Sequence, residues 1–487
     1  MKIERRKPLT ARVGLFCVGH HTYWGQYPGL LEELLGYHDV IRGRIEANGV
    51  EVTDFGMTDD AESAYAMVRS IKKGDFDLVF CNMSTYATSA TWGVMVRELE
   101  APLVMVALQT QRSFEFAKYT THLQLANDQV CSVPEFAGVA VRMGKAVPPM
   151  ILGSLFDDLQ AEAELAEWCS IARVLHDLRG ARLGQMGHTL EAMLDMHSDH
   201  TMFTAAFGMH IVQTEPDDVM REYVQVTDAE LADKRDFIAD FFATPDPVSD
   251  PHTRRLTEED LDTAARAAAA LDRFIASKKL DGLAYYYEAE AGSQMRKLVT
   301  NFIVGNSLLC AQGFPMCSEN DLKTLVAMMI MDRLDIGGSF AEFHPVVFDR
   351  NQVYIGHDGP HHLQICEGKP ILRSLLQYHG KPGSGASVEF TIKHGPITML
   401  SISQTFDGRF KFVIGEGESV DGPLPPTGNT NTLVEFPTDP ITYLKAWCME
   451  GPTHHLALGI GHHASTIKKI GDTLGIESVI VDATRSQ

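Results

Sequence analysis

The order of apolar periods along the chain limits the fold before any single residue does. In the first third, strand-length apolar runs at 11–19, 50–55, 77–82 and 102–108 alternate with amphipathic helix-length segments at 28–48, 60–73 and 89–100. Strands separated by helices of this length build parallel βαβ units with right-handed crossovers. The segment 162–178 reads as a helix that ends at Arg179-Gly180, a natural junction. Beyond it, 182–187, 210–214 and 283–287 read as strands of a second α/β unit. The helices there are 258–279, with Thr257 as its cap, and 319–335. After about Gly337 the apolar period becomes two. Segments 387–393, 397–404 and 410–416 alternate, with Asp407-Gly408 as a hairpin turn, which marks antiparallel β structure. A helix at 465–474 and a strand at 478–481 close the chain. A chain of 487 residues exceeds one hydrophobic core. These shifts divide it into an N-terminal α/β domain (1–178), a central α/β domain (179–335) and a C-terminal β-rich domain (336–487).

Composition narrows the partners. The formal net charge of −22 argues against a nucleic-acid ligand, which would favour a basic face, and fits a neutral small-molecule substrate. The longest apolar runs, such as 102–108, are strand-length, so no membrane span is expected. Residues 13–18 are too short for a signal-peptide core, and the cytoplasm is the expected compartment. The eight cysteines are dispersed with no Cys-x-x-Cys pair, as in a reducing compartment.

Parallel sheets bind ligands beyond the carboxyl ends of their strands. Those ends carry Gly19-His20-His21, Asn82-Met83-Ser84-Thr85-Tyr86 and Gln109-Thr110-Gln111, a polar and aromatic rim. No Gly-x-Gly-x-x-Gly follows the first strand, so a dinucleotide is not favoured.

The densest set of ligating side chains lies between Cys317 and Cys366. It includes Glu319, at the start of a helix, Glu342, in a turn after Phe340, and Gly356-His357-Asp358-Gly359-Pro360-His361-His362. Far downstream, Gly451-Pro452-Thr453-His454-His455 adds two more imidazoles. A mixed carboxylate and imidazole set points to a divalent cation of the manganese kind. It also fits aldose–ketose isomerisation. The metal polarises the carbonyl, and a carboxylate carries a proton between neighbouring carbons through an enediol. A hydride shift is the alternative mechanism. Each residue alone has a plainer explanation. A Glu in a first helical turn serves the helix dipole, Asp358-Gly359-Pro360 is a turn signal, and Tyr285-Tyr286-Tyr287 reads as a buried strand.

At these residues the chain resembles a divergent member of the L-arabinose isomerase group, within the L-arabinose/L-fucose isomerase family. Its Glu-Gly-Asp-Trp-Lys-Thr-like segment is matched by Glu319-Asn320-Asp321-Leu322-Lys323-Thr324. Gly-Thr-Ser-Phe-Met-Glu is matched by Gly337-Gly338-Ser339-Phe340-Ala341-Glu342, and Gly-Gly-x-His-His by Gly451 to His455. The resemblance implies two doubly wound parallel-sheet domains, Rossmann/flavodoxin-like, followed by a β-rich, barrel-like domain. It implies a manganese-type ion and a homo-oligomer, often a hexamer, whose neighbouring subunits complete each site. Carried over, Glu319 and Glu342 are metal ligands and the acid/base pair, and His455 is a ligand. For the remaining imidazole, counting from Gly356 favours His357 and counting back from Cys366 favours His361, with His362 adjacent. The glycine turn is the better anchor and selects His357.

The sugar-contacting positions depart from the family. His21 stands where it has a substrate glutamine, Tyr86 supplies an aromatic wall, and Gln129 is kept while the histidine three residues later is Ser132. Because hydroxyl-reading pockets discriminate through their hydrogen bonds, the chemistry is expected to persist on a different sugar. Epimerisation on the same centre and sugar binding without turnover are the alternatives.

Overall fold

A computed structural model describes residues 3–245, 256–375, 385–425 and 427–482. Two compact units emerge: Leu9–His176, and Met1–Pro8 together with Asp177–Gln487.

The first unit is a five-stranded parallel sheet of β1 (Arg12–Val18), β2 (Glu51–Thr58), β3 (Leu78–Met83), β4 (Leu103–Gln109) and β5 (Met150–Ser154). Its order, β2-β1-β3-β4-β5, is that of a doubly wound sheet with its switch point between β1 and β3. Every residue of β3 is buried, and β1 nearly so, because helices cover both faces. Asp60 and Ser63 form a reciprocal capping box that starts helix Ala61–Ile71. Phe16, Phe80, Trp92 and Phe136 are fully buried, and the rings of Trp92 and Phe136 stack at 4.9 Å.

In the second unit, β6 (Arg182–Met186), β7 (His210–Thr214), β8 (Gly282–Tyr285) and β9 (Met316–Cys317) form a parallel sheet in the order β7-β6-β8-β9. Thr257 caps helix Glu258–Lys278 by accepting from Asp260 N, as the sequence predicts. Next come β10 (Gly337–Val347), β11 (Gln352–Gly356), β12 (Ile371–Ser374), β13 (Ala386–Glu389), β14 (Gly395–Gln404), β15 (Phe410–Val420), β16 (Thr432–Glu435), β17 (Leu456–Ile460) and β18 (Glu477–Ile480). Six of them close an antiparallel barrel in the order β14-β17-β10-β11-β16-β15, with β15 pairing back onto β14. β18 joins β15 in parallel, and β12 pairs with β13 separately. The fold class is therefore α/β with a barrel-like C-terminal region.

Between sheet and barrel runs helix Leu322–Arg333, buried on every face. It packs on β8 and β9 on one side and on β10, β14 and β17 on the other. Its middle, Leu325 to Met331, is apolar on every face and has to be enclosed in this way. No helix among the described residues is long and apolar enough to cross a membrane.

Two local expectations are corrected. The helix begins at Leu322, not at residue 319, so Glu319 precedes it in a loop where Glu319 and Asn320 have φ of 59° and 62°. Glu342 lies within β10 rather than in a turn. Pro345 disguises that strand. It sits at a register irregularity between Phe343 and Val346, where a missing N–H is tolerated.

Candidate active site

Glu319 stands just beyond the carboxyl end of β9, where a parallel sheet presents ligand-binding groups. The loop holding it is tied to its own sheet. Asn320 N donates to Tyr285 O at 3.1 Å, and Asn320 Nδ2 donates to Met186 O at 3.0 Å. Two successive non-glycine residues at positive φ are uncommon and cluster at functional sites.

The barrel supplies the other groups. Glu342 pairs with Gly356 across β10 and β11, which places His357 one residue past its partner. Phe340, two residues back on the same face of β10, is fully buried, and its ring lies 4.6 Å from that of His357 and 4.4 Å from that of His455. His455 enters at the head of β17, where Ser401 Oγ donates to His455 O at 3.1 Å and to Thr453 O at 3.0 Å.

The four predicted ligands converge. His357 Nε2 is 3.6 Å from Glu319 Oε1, and His455 Nε2 is 3.5 Å from Glu319 Oε2. Glu342, His357 and His455 each offer a ligand atom within 4.8 Å of the others, and so do Glu319, His454 and His455. His361 and His362 turn elsewhere. His361 Nε2 lies 3.2 Å from Val388 O and His362 Nε2 lies 2.9 Å from Asp332 Oδ1, so His357 is the imidazole of that segment brought to the cluster.

Each imidazole is buttressed. His357 Nδ1 is 2.9 Å from Asp358 Oδ1, and His455 Nδ1 is 3.1 Å from Asp321 Oδ2. Burial pushes the Glu319 carboxyl up, but His357 and His455 outweigh it and hold the group below its usual range. Burial pushes the His357 imidazole down, and Asp358 and Glu319 carry it instead up to about 10. Tyr287 stands nearby; its hydroxyl is pushed up to about 12 by burial and then by Glu319. Glu319 Oε2 is buried without a hydrogen-bond partner. A buried, unpartnered carboxylate oxygen facing carboxylate-buttressed imidazoles fits a divalent cation. The donors Glu319, Glu342, His357 and His455 suit one of the manganese kind.

Sequence reasoning missed Asp321, Asp358 and Phe340. Asp321 stood within the Glu319 to Thr324 segment, Asp358 within a turn signal and Phe340 beside Glu342, each without a role of its own. It also missed Asp195, which no motif marks.

The three other predicted residues lie in the first unit, at the carboxyl edge of its sheet. His21, exposed, precedes the short helix Thr22–Gln26, with its Nδ1 3.3 Å from Asp59 O. Tyr86 donates to Glu135 Oε2 at 3.3 Å, and its ring lies 6.2 Å from that of His20. Gln129 is buried, with its amide donating to Ser84 O at 3.0 Å and Ala126 O at 2.9 Å.

Fold and site define an α/β protein with a closed C-terminal barrel and a candidate cation centre at the end of a parallel sheet. Residues 361–481 match the family model described as L-fucose isomerase, C-terminal domain. An L-arabinose isomerase of Aeromonas hydrophila is 22% identical over 413 residues, covering 82% of this chain and 80% of its own. One from Acidothermus cellulolyticus is 23% identical over 417 residues, covering 82% and 79%. A sulfoquinovose isomerase of Priestia aryabhattai is 20% identical over 327 residues, covering 66% and 70%. A solved substrate binding protein with adhesive properties from Clostridium difficile overlaps with a TM-score of 0.17 at 9% identity, covering 63% of this chain and 74% of that one, too little to bear on the fold. Over most of its length the chain is thus similar to L-arabinose isomerases, and over residues 361–481 to the L-fucose isomerase C-terminal domain.

Proposed function

We propose that this protein is a metal-dependent sugar isomerase interconverting an aldose and a ketose by proton transfer through an enediol. The observation that carries the reading is the convergence of Glu319 and Glu342 with two aspartate-buttressed imidazoles around a buried, unpartnered carboxylate oxygen. Glu319, Glu342, His357 and His455 would hold the ion, most simply Mn2+. When bound, it would supply Lewis acidity that polarises the sugar carbonyl.

Glu319 and Glu342 move the proton. In the aldose-to-ketose direction one carboxylate takes the C2 proton and the group returns it to C1, while the O2 hydroxyl proton ends on O1. Glu319 is held ionised by its imidazole neighbours, as a base requires. Phe340 backs both rings and keeps water from that side of the centre. His21, Tyr86 and Gln129 belong to the sugar pocket in this proposal, and their departures from the family pattern favour a sugar other than L-arabinose. The three-domain division 1–178, 179–335 and 336–487, a cytoplasmic location and a homo-oligomer with sites shared between subunits, often a hexamer in the family, complete the reading.

The test is a screen of Mn2+-supplemented protein against pentoses, hexoses, deoxysugars and tetroses, run in parallel with Glu342→Gln. Wild type should convert at least one sugar, with deuterium from the solvent entering C1, and Glu342→Gln should lose at least about 100-fold in kcat with an unchanged fold. Full turnover by the variant would refute the assignment.

A further inference from the structure

A third histidine of the site is built like the two ligands. His454 Nδ1 lies 2.6 Å from Asp195 Oδ2, a closer buttress than the 2.9 Å of His357 to Asp358 or the 3.1 Å of His455 to Asp321. A carboxylate on one ring nitrogen fixes the tautomer, so the other nitrogen keeps its lone pair and becomes a stronger donor to a cation. Asp195 is itself held for this task. It accepts from His454 N at 2.9 Å, and the turn Leu194–Met196 that carries it is pinned by Lys323 Nζ, which donates at 2.8 Å to each of Asp195 O and Met196 O. Lys323 is fully buried in the helix that leads away from Glu319, so the clamp belongs to the site. A histidine that merely preceded a strand would need none of this.

The position of the ring agrees. It packs 3.9 Å from that of His455, and one of its nitrogens lies within 4.8 Å of ligand atoms of both Glu319 and His455. Two trios thus share His455: Glu342 with His357, and Glu319 with His454. The His454 side chain is 35% exposed where that of His455 is 1% exposed, so it occupies the open side.

We infer that His454, oriented by Asp195, is a third imidazole ligand of the cation, on the open face of the centre. This rests on the metal-dependent reading above and extends it. Three imidazoles with two carboxylates favour a nitrogen-seeking ion such as Co2+ over Mg2+, which prefers oxygen.

The experiment titrates the full-length, metal-free protein with Co2+ and counts imidazole neighbours by X-ray absorption, for wild type and for His454→Gln and Asp195→Asn. Three imidazoles in wild type, two in His454→Gln, a Co2+ affinity at least about tenfold weaker in that variant and an intermediate loss in Asp195→Asn are expected. Two imidazoles in wild type, a count that needs no variant to fold, would overturn the inference. So would His454→Gln binding Co2+ with wild-type affinity and visible spectrum. A wild-type protein that binds no Co2+ overturns the metal reading itself and this inference with it.

Discussion

Asp321 joins fold and site in one side chain. Its Oδ1 accepts from Lys323 N and Thr324 N, each at 3.1 Å, and so caps the central helix. Its Oδ2 accepts from Thr324 Oγ1 at 2.8 Å and faces His455 Nδ1 at 3.1 Å. Burial pushes the carboxyl up, but His455 and Lys323 outweigh it and hold the group at about 2, so it remains an acceptor throughout the working pH range. Asp321→Asn keeps a cap acceptor and weakens the buttress, so Mn2+ affinity should fall by about 10- to 100-fold. Asp321→Ala loses the cap as well, at a cost of about 0.5–2 kcal/mol. Metal titration beside urea denaturation separates the two effects, and equal metal affinity in wild type and Asp321→Asn would refute the buttressing role. Neither task was legible: the sequence predicts the helix from residue 319, which puts Asp321 inside it, and nothing along the chain tells where the ring of residue 455 will lie. Asp358 was hidden in the same way inside a turn signal.

At the scale of elements, legibility followed burial. β1, β3 and β4 are enclosed on both faces and read directly as apolar runs, whereas β5 is an edge strand whose Leu152 is exposed, and its pattern passes for a loop. The strand that matters most, β10, was obscured by its own function: Gly337, Gly338, Glu342, His344 and Pro345 look like turn chemistry. Its period of two nevertheless puts Phe340 and Glu342 on one face, so the strand sets both the wedge behind the imidazoles and the carboxylate before them. Removing the wedge should therefore harm the site more than the fold. Phe340→Leu should cost less than about 1.5 kcal/mol, yet weaken Mn2+ binding severalfold as both rings lose their backing. Phe340→Ala should cost about 3–5 kcal/mol. Denaturation midpoints and metal affinities measured on the same samples decide this. A Phe340→Leu protein with unaltered affinity would show that the rings are held by their aspartates alone.

For the whole molecule, the order α/β, α/β, β was visible as a change of apolar period, but the meeting of a sheet end with a barrel was not. That meeting concentrates charge in a buried place. His357, inside it, keeps its proton up to about 10 while Asp358 and Glu319 face it with no cation between them. An unfolded histidine titrates near about 6.5. A folded value raised above the unfolded one contributes stability that is fully present below about pH 6.5 and is lost as the pH climbs through about 10. Each pH unit of that gap corresponds to about 1.4 kcal/mol. The Tm of metal-free protein should therefore decline between pH 7 and 10. A cation takes only the neutral imidazole, so the dependence of binding runs the other way. From pH 6 to 8.5, Mn2+ affinity should rise by up to tenfold per unit, with release of about one proton, read by calorimetric titration in two buffers of different ionisation enthalpy. Protein loaded with Mn2+ at 100 times its Kd should gain about 2.7 kcal/mol over the metal-free form at the same pH. If metal-free Tm stays level to pH 10 and Mn2+ binds equally well at pH 6 and 8.5 without proton release, His357 is not the imidazole that the cation displaces from its proton.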